Sequence, residues 1–126
     1  MTEKKSRVED PGIKPIWVVR LDLDSSREAD INKWYNQIHL PDMIQRMPGV
    51  TGVTRYECIM GRRANPKYLS ITEIESESIL KQAINSAESI KVGEDFPKTW
   101  PGGLTIGSMA AYRPIYRVVI DQNNDD

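Results

Sequence analysis

The chain has 126 residues, the length of one domain, and its 17 basic and 18 acidic residues almost cancel. This balance, without a basic stripe, argues against a nucleic-acid partner, and no apolar run approaches the roughly 18 residues of a membrane helix. The single cysteine, Cys58, excludes an internal disulfide, and no cysteine and histidine cluster indicates a metal site. With a charged N-terminal stretch that lacks an apolar signal segment, these features predict a cytoplasmic protein.

Both ends of the sequence are polar. Residues 1–14 and 121–126 have too few apolar side chains to offset the entropy of ordering, so we expect disordered tails there. The folded domain is expected over residues 15–120.

The first half of the domain shows a strand, a helix and a second strand. Residues 16–23 alternate apolar and polar side chains, as a half-buried strand does. Residues 24–26 offer N-caps for a helix over 27–39, which Leu40-Pro41 is expected to interrupt. The side chains at helical spacing that should form its apolar face are Ile31, Trp34, Tyr35 and Ile38. A second strand is predicted over residues 50–60, with Gly52 marking a bulge.

The second half repeats this order with less regularity. Residues 67–74 predict a third strand, and a second helix should begin at 75–78. Residues 88–107 carry prolines and glycines and show no clear period. The last strand is predicted over 109–119, with a break at Pro114.

The resulting order, β-α-β-β-α-β, predicts an α+β, ferredoxin-like fold in which two helices cover one face of a four-stranded antiparallel sheet. The other face must also carry apolar and aromatic side chains, because the strands hold more of them than two helices can cover. We therefore expect two sheets to meet face to face in a homodimer.

Several short motifs of the chain resemble the dimeric α+β barrel superfamily, and most closely its EthD-like branch. They are Trp34-Tyr35, His39-Leu40-Pro41, Pro48-Gly49, Arg55-Tyr56 and Tyr68-Leu69. The resemblance covers roughly residues 16–86. It implies a homodimer with a pocket between sheet and helices in each protomer, and it implies that the histidine after the first helix, His39, faces this pocket. Members include cofactor-free monooxygenases, isomerases, cyclases, lyases and heme enzymes, so the fold does not determine the reaction.

His39 is the only histidine and the strongest catalytic candidate. An imidazole that titrates near neutral pH is an effective acid or base for a bound carbonyl compound or phenol. At a helix C-terminus it can equally cap carbonyl groups. We predict Tyr68 and Tyr56 as catalytic partners that polarise a substrate oxygen, although tyrosines more often serve packing.

Four further side chains are predicted to bind substrate. Tyr35 and Trp34 lie beside His39 in the sequence, Trp100 lies in the irregular segment and could close a pocket, and Arg20 could bind a carboxylate. The more common roles of these residues are core packing and structural ion pairs.

These features lead to one main functional hypothesis. The chain is predicted to be a small enzyme without cofactor or metal, in which His39 serves as acid or base. Its substrate would be a hydrophobic aromatic or polyketide-like carbonyl or phenolic compound, and the reaction an isomerisation, cyclisation, elimination or decarboxylation. The alternatives are a non-catalytic dimeric module that binds a small molecule or assists a partner enzyme, a cofactor-free monooxygenase, and heme binding through His39.

Overall fold

The computed structural model describes residues 7–9, 12–61 and 66–120. Strand β1 (Arg7–Glu9) pairs with β6 (Val118–Ile120) in a two-stranded sheet. The main sheet is antiparallel, in the order β3-β4-β2-β5. Its strands are β2 (Ile16–Leu23), β3 (Val50–Glu57), β4 (Tyr68–Ile74) and β5 (Leu104–Tyr112). The predicted fold class is confirmed: this strand order with both crossovers helical is the ferredoxin-like arrangement.

The three strands with clear alternation agree closely with the prediction. Strand β2 has the predicted bounds, and the pairing register of β3 shifts between Val50 and Gly52, where the sequence indicated a bulge. The last strand differs, because β5 already begins at Leu104 and ends before Pro114. Proline cannot donate to a sheet ladder, and the chain leaves the main sheet there and forms β6.

The N-terminal segment also differs from the expectation for residues 1–14. Residues 7–9 form β1, whose backbone pairs antiparallel with β6. The remaining parts of both predicted tails, 1–6, 10–11 and 121–126, lie outside the described residues.

Between β2 and β3 the helical segment is longer than predicted and does not stop at Leu40-Pro41. It consists of a 3₁₀ turn (Ser25–Arg27), α1 (Glu28–Trp34), a π-helical turn (Tyr35–His39) and α2 (Leu40–Arg46). Asp24 caps its start by accepting a hydrogen bond from the backbone N–H of Ser26. The segment ends before Gly49, which has a φ of +76°.

The π turn explains why Pro41 is accepted inside this segment. In a regular α-helix the ring of Pro41 would press on the carbonyl four residues earlier. Here the N–H of Leu40 donates to the carbonyl of Tyr35, five residues earlier, so the turn before the proline is wider.

The same turn corrects the predicted apolar face. Ile31 and Tyr35 are buried, but Ile38 is 55 % exposed. A π turn holds one more residue than an α turn, so the side chains inside it leave the 3.6-residue period that placed Ile38 with Trp34.

The second helical layer has a 3₁₀ turn (Glu77–Ile79), α3 (Leu80–Asn85) and α4 (Ala87–Thr99). Ser86 separates the two helices and caps α4 by accepting a hydrogen bond from the N–H of Ser89 at 3.1 Å. Much of the segment without a clear sequence period is therefore helix. No helix in the described ranges is long and apolar enough to cross a membrane.

Cross-strand pairs define the two faces of the sheet, because directly opposite residues share a face. Tyr68 pairs with Leu21, and Ser70 pairs with both Arg55 and Val19; this row faces the helices. The alternate residues form an open face that no helix covers. Its members are Ile16, Val18, Arg20, Thr54, Tyr56, Leu69, Ile71, Glu73, Ala110 and Tyr112.

The π turn leads to a matched pair of stability predictions. Ile31→Ala should lower the free energy of unfolding by about 2–5 kcal/mol, because Ile31 is fully buried. Ile38→Ala should change it by no more than about 0.5 kcal/mol. Urea denaturation of both variants measures the difference, and equal losses would mean that Ile38 packs in the core as a regular helix would place it.

Candidate functional site

His39 is enclosed by aromatic side chains between the helices and the sheet. Its ring stacks on Trp34, with ring centroids 5.0 Å apart and an interplanar angle of 20°. The edges of Tyr35 and Phe96 contact it, with centroids at 5.2 and 5.6 Å. Only 7 % of His39 is exposed, so the expectation of a carbonyl-capping histidine at a helix end is not met: the helix continues past it to Arg46.

The π turn creates the stack between Trp34 and His39. Residues five apart point in different directions on an α-helix, whereas a turn closed by bonds to the fifth residue brings them onto the same side. The resulting stack fixes the plane of the imidazole.

Burial keeps this imidazole neutral. Removal from water disfavours the charged form and lowers the pKa of His39 below its ordinary value, and the positive charge of Arg55 acts in the same direction. Asp95 and Asp42 oppose the shift but do not reverse it. Its Nδ1 is sealed from solvent and has no hydrogen-bond partner. The Trp100 Nε1 is enclosed in the same way, so this feature alone does not distinguish His39.

His39 lines a cavity of about 300 Å³ between the sheet and α2 and α4. This volume is at the lower end for ligand pockets. Most of its wall is apolar, from residues on β2, β5 and the two helices. Ile90, Ile106 and Met109 line it and are about half exposed, so the cavity opens between α4 and β5. Gly93 also lines this opening, and a Cβ there would contact nothing within 4 Å.

The cavity wall has few polar groups besides His39. Tyr35, Ser70 and Thr72 line it, and the ring of Tyr35 contacts that of His39. Burial raises the pKa of Tyr35 more than the Ser70 hydroxyl lowers it, so the Tyr35 hydroxyl stays protonated and can donate a hydrogen bond. The cavity thus combines a neutral imidazole, hydroxyl groups and an apolar body.

Tyr68 faces the helices but belongs to a separate polar network. Its hydroxyl donates to Glu28 and accepts a bond of 3.0 Å from Asn32, and the Lys67 ammonium lies 2.7 Å from Glu28. Burial, and then the bond to Glu28, raise the pKa of Tyr68. The Glu28 carboxylate holds this network together.

The structure brings together only part of the predicted site. His39 and Tyr35 line the cavity, and Trp34 supports His39 from behind. Trp100 is not a lid: it packs against the core with its ring centroid 6.5 Å from that of Trp34.

Tyr56 and Arg20 correct the prediction most clearly, because both lie on the open face of the sheet, opposite to His39. They are linked through Leu69, which pairs with both. Alternation assigns residues to two faces without indicating which face the helices cover.

Sequence reasoning missed two groups. Ser70 and Thr72 are buried and face the cavity, although small polar residues on a strand suggest a solvated face. The second group is Arg55, whose guanidinium donates hydrogen bonds to Asn32 and Asn36. The four-residue spacing of the two asparagines on the helix was the available sequence signal for a shared partner.

Comparison with solved structures gives the same fold. An EthD-family protein of Bacillus halodurans C-125 is 14 % identical, with a TM-score of 0.59 over 80 % of this chain and 99 % of its own. HapK of Hahella chejuensis is 10 % identical, with a TM-score of 0.61 over 80 % and 92 %. SnoaB of Streptomyces nogalater, a cofactor-independent oxygenase solved as a mutant, is 12 % identical, with a TM-score of 0.54 over 80 % and 92 %.

These similarities confirm the predicted resemblance to EthD-like, ferredoxin-like proteins at the level of the fold. No family model and no curated protein sequence matches the chain. Within the described part of the chain, no group of three acidic, histidine or cysteine side chains could hold a metal ion.

Burial of neutral His39 predicts a pH-dependent stability. The unfolded chain binds a proton on this histidine at about pH 6.5, and the folded chain binds it only at lower pH. The contribution of the neutral imidazole to the free energy of unfolding is therefore complete above about pH 6.5. It is lost as the pH falls through the lowered pKa of His39 in the folded state. The non-titrating variant His39→Phe keeps the aromatic cluster. Urea denaturation between pH 7.5 and 5 should show a steeper loss of stability for the natural chain, and parallel profiles would contradict it.

Proposed function

We propose that this protein is a homodimeric, cofactor-independent enzyme that acts on a small hydrophobic molecule in the His39 cavity. The observation that carries the proposal is the neutral, aromatic-enclosed imidazole on the wall of an apolar cavity that also holds hydroxyl donors. A dry pocket with one base and a few convergent polar groups is the usual form of a small-molecule site.

The chemistry that this set supports best is proton transfer at a carbon or hydroxyl group conjugated to a carbonyl. His39, acting through Nε2, takes the proton and becomes imidazolium, while the electron pair moves to the carbonyl oxygen. Tyr35 donates a hydrogen bond to this developing oxyanion, and the Ser70 hydroxyl stabilises the Tyr35 oxygen. In an isomerisation or cyclisation the imidazolium then returns the proton to another atom of the substrate, and in an elimination it protonates the departing group. In a decarboxylation His39 takes the carboxylic acid proton, CO₂ leaves, and the imidazolium protonates the carbanion that remains.

The volume and the walls restrict the substrate. An engineered apolar cavity of about 150 Å³ holds one benzene ring, so a cavity of about 300 Å³ accommodates a compound of about two rings. Tyr35 and His39 lie side by side in an otherwise mostly apolar wall, which favours a molecule with one carbonyl or phenolic end and an otherwise apolar body. Oxygenation is the second candidate: a carbanion formed by His39 could react with O₂, and SnoaB, which shares the fold, is a cofactor-independent oxygenase.

The homodimer follows from the open face of the sheet. Tyr56 and Tyr112 on this face are each about half exposed, and Leu69 and Ile71 lie between them across the strands. Contiguous apolar surface of this kind marks an interface. A second copy of the same face is its natural partner, because a two-fold axis pairs each patch with itself.

The dimer predicts a molar mass of twice the 14.4 kDa of one chain by light scattering at micromolar concentration. Ile71→Lys, at the centre of the open face, should shift the protein to the monomer. The control Ile44→Lys, on the exposed side of α2, should leave the mass unchanged. A natural chain that stays monomeric would reject the dimer.

A large side chain at position 93 should block the opening of the cavity. Gly93→Phe should fill the space between α4 and β5, since an added Cβ there has no contact within 4 Å outside its own helix, and should abolish binding of a two-ring phenolic probe such as 2-naphthol. The control Gly93→Ala should keep binding and raise the free energy of unfolding by about 0.5–1 kcal/mol, because alanine favours a helix interior. Equal binding by the natural chain and Gly93→Phe would place the ligand elsewhere.

A substitution of His39 tests catalysis separately from ligand binding. On a substrate found by screening aromatic ketones and phenols, His39→Gln should lower the rate by about 10²–10⁴-fold and leave probe binding largely intact. A variant that turns over substrate as fast as the natural chain would remove His39 from the mechanism. A natural chain that binds the probe but turns over none of the screened compounds would favour the non-catalytic binding module.

A further inference from the structure

A second site lies outside the cavity, in a surface groove between the edge strand β3 and the first helical segment. The groove has a volume of about 560 Å³, and its wall combines apolar side chains, Leu40 and Val53, with polar ones. The Arg55 guanidinium lies on its wall and is half-buried. The ring of Tyr35, against which Arg55 packs, separates the groove from His39.

Two asparagines hold Arg55 in one orientation. Its Nη1 donates to Oδ1 of Asn36 and its Nη2 donates to Oδ1 of Asn32, both at 2.8 Å. The ring of Tyr35 covers one face of the guanidinium, with its centroid 4.0 Å from Cζ. A guanidinium carries five N–H donors, so three remain for other partners.

Arg55 differs from the other partly buried arginines of the described chain in having no acidic partner. Arg27 pairs with Asp24 at 2.7 Å, and Arg46 pairs with three carboxylates, whereas Arg55 makes no such contact. Glu57 also lines the groove, but it is not within ion-pair distance of Arg55 and acts on Lys67 instead. Burial without an opposite charge lowers the pKa of Arg55.

The two side chains that hold Arg55 are neutral asparagines, where aspartates would also fit. An amide oxygen accepts the same hydrogen bond as a carboxylate oxygen and leaves the positive charge in place. The arrangement therefore orients a cation without neutralising it, and such a preorganised guanidinium matches the two oxygens of a carboxylate.

We propose that this groove binds a small organic carboxylate with an apolar body, its carboxylate on Arg55 and its body against Leu40 and Val53. The groove and the proposed catalytic cavity share no lining residue, although the ring of Tyr35 lies between them and contacts Arg55. The carboxylate site stands even if His39 proves to be structural.

Isothermal titration with benzoate, and with its neutral analogue benzamide, tests this proposal on the full chain at low ionic strength. Benzoate should bind saturably and benzamide should bind at least tenfold more weakly. Arg55→Gln should weaken benzoate binding at least tenfold. Asn36→Asp should do the same, because the new carboxylate pairs with the guanidinium. The control Arg113→Gln, which removes an exposed arginine paired with Glu77, should leave the affinity unchanged.

Four results would overturn the proposal. The first is no saturable benzoate binding up to about 50 mM, a concentration at which even a Kd of about 30 mM would be visible. The second is equal binding of benzamide, and the third is equal binding of inorganic phosphate, which would reflect charge alone. The fourth is unchanged benzoate binding in Asn36→Asp. The last variant retains every group of the fold and gains an ion pair, so it serves if Arg55→Gln does not fold. None of these outcomes changes the expectation for probe binding by Gly93→Phe.

Discussion

The stack of His39 on Trp34 is the contact on which the interior between helices and sheet depends. It exists because the π turn brings residues five apart onto one side of the helix, and Pro41 immediately after it is compatible with a widened turn. The stack, closed by Tyr35 and Phe96, seals Nδ1 and holds the imidazole in its neutral form. A single irregular turn thereby determines both the plane and the charge state of the only histidine. π turns of this kind recur at functional sites because they place a side chain where a regular helix could not.

The sheet divides the remaining functions between its two faces. Its helix-covered face carries the cavity, with Ser70 and Thr72 as buried hydroxyl groups among apolar side chains. Its open face carries Leu69, Ile71 and two tyrosines. Because both faces carry apolar side chains, the isolated protomer leaves the apolar side chains of its open face exposed. The same strands therefore form the cavity on one face and the proposed dimer interface on the other. At the edge of the sheet, Arg55 contacts Tyr35 from the groove side, so the groove and the cavity share one wall.

Local patterns in the sequence predicted some of this well. The bounds of β2 and the bulge at Gly52 follow from alternation and from the conformational freedom of glycine, both of which act within a few residues. Ile38 was misplaced because a helical period assumes that every turn holds 3.6 residues, and the sequence does not signal where a π turn inserts one more. The separation of Tyr56 and Arg20 from His39 was missed because alternation cannot tell the covered face from the open one. The β1–β6 pairing was missed because it joins two three-residue segments more than a hundred residues apart, and β1, Arg7-Val8-Glu9, is too short and polar to indicate a strand alone.

The neutral state of His39 is the central claim, and the ring-proton NMR signals of the imidazole test it most directly. The chain has one histidine, so its Hε1 signal needs no assignment. The account predicts that this signal titrates below the ordinary value of about 6.5 and reports a neutral ring at pH 7. It also predicts that a bound phenol in the cavity shifts the signal. A histidine that titrates at or above 6.5, in the free and the ligand-bound protein alike, would contradict the account, because the imidazole would then be hydrated or paired with a carboxylate.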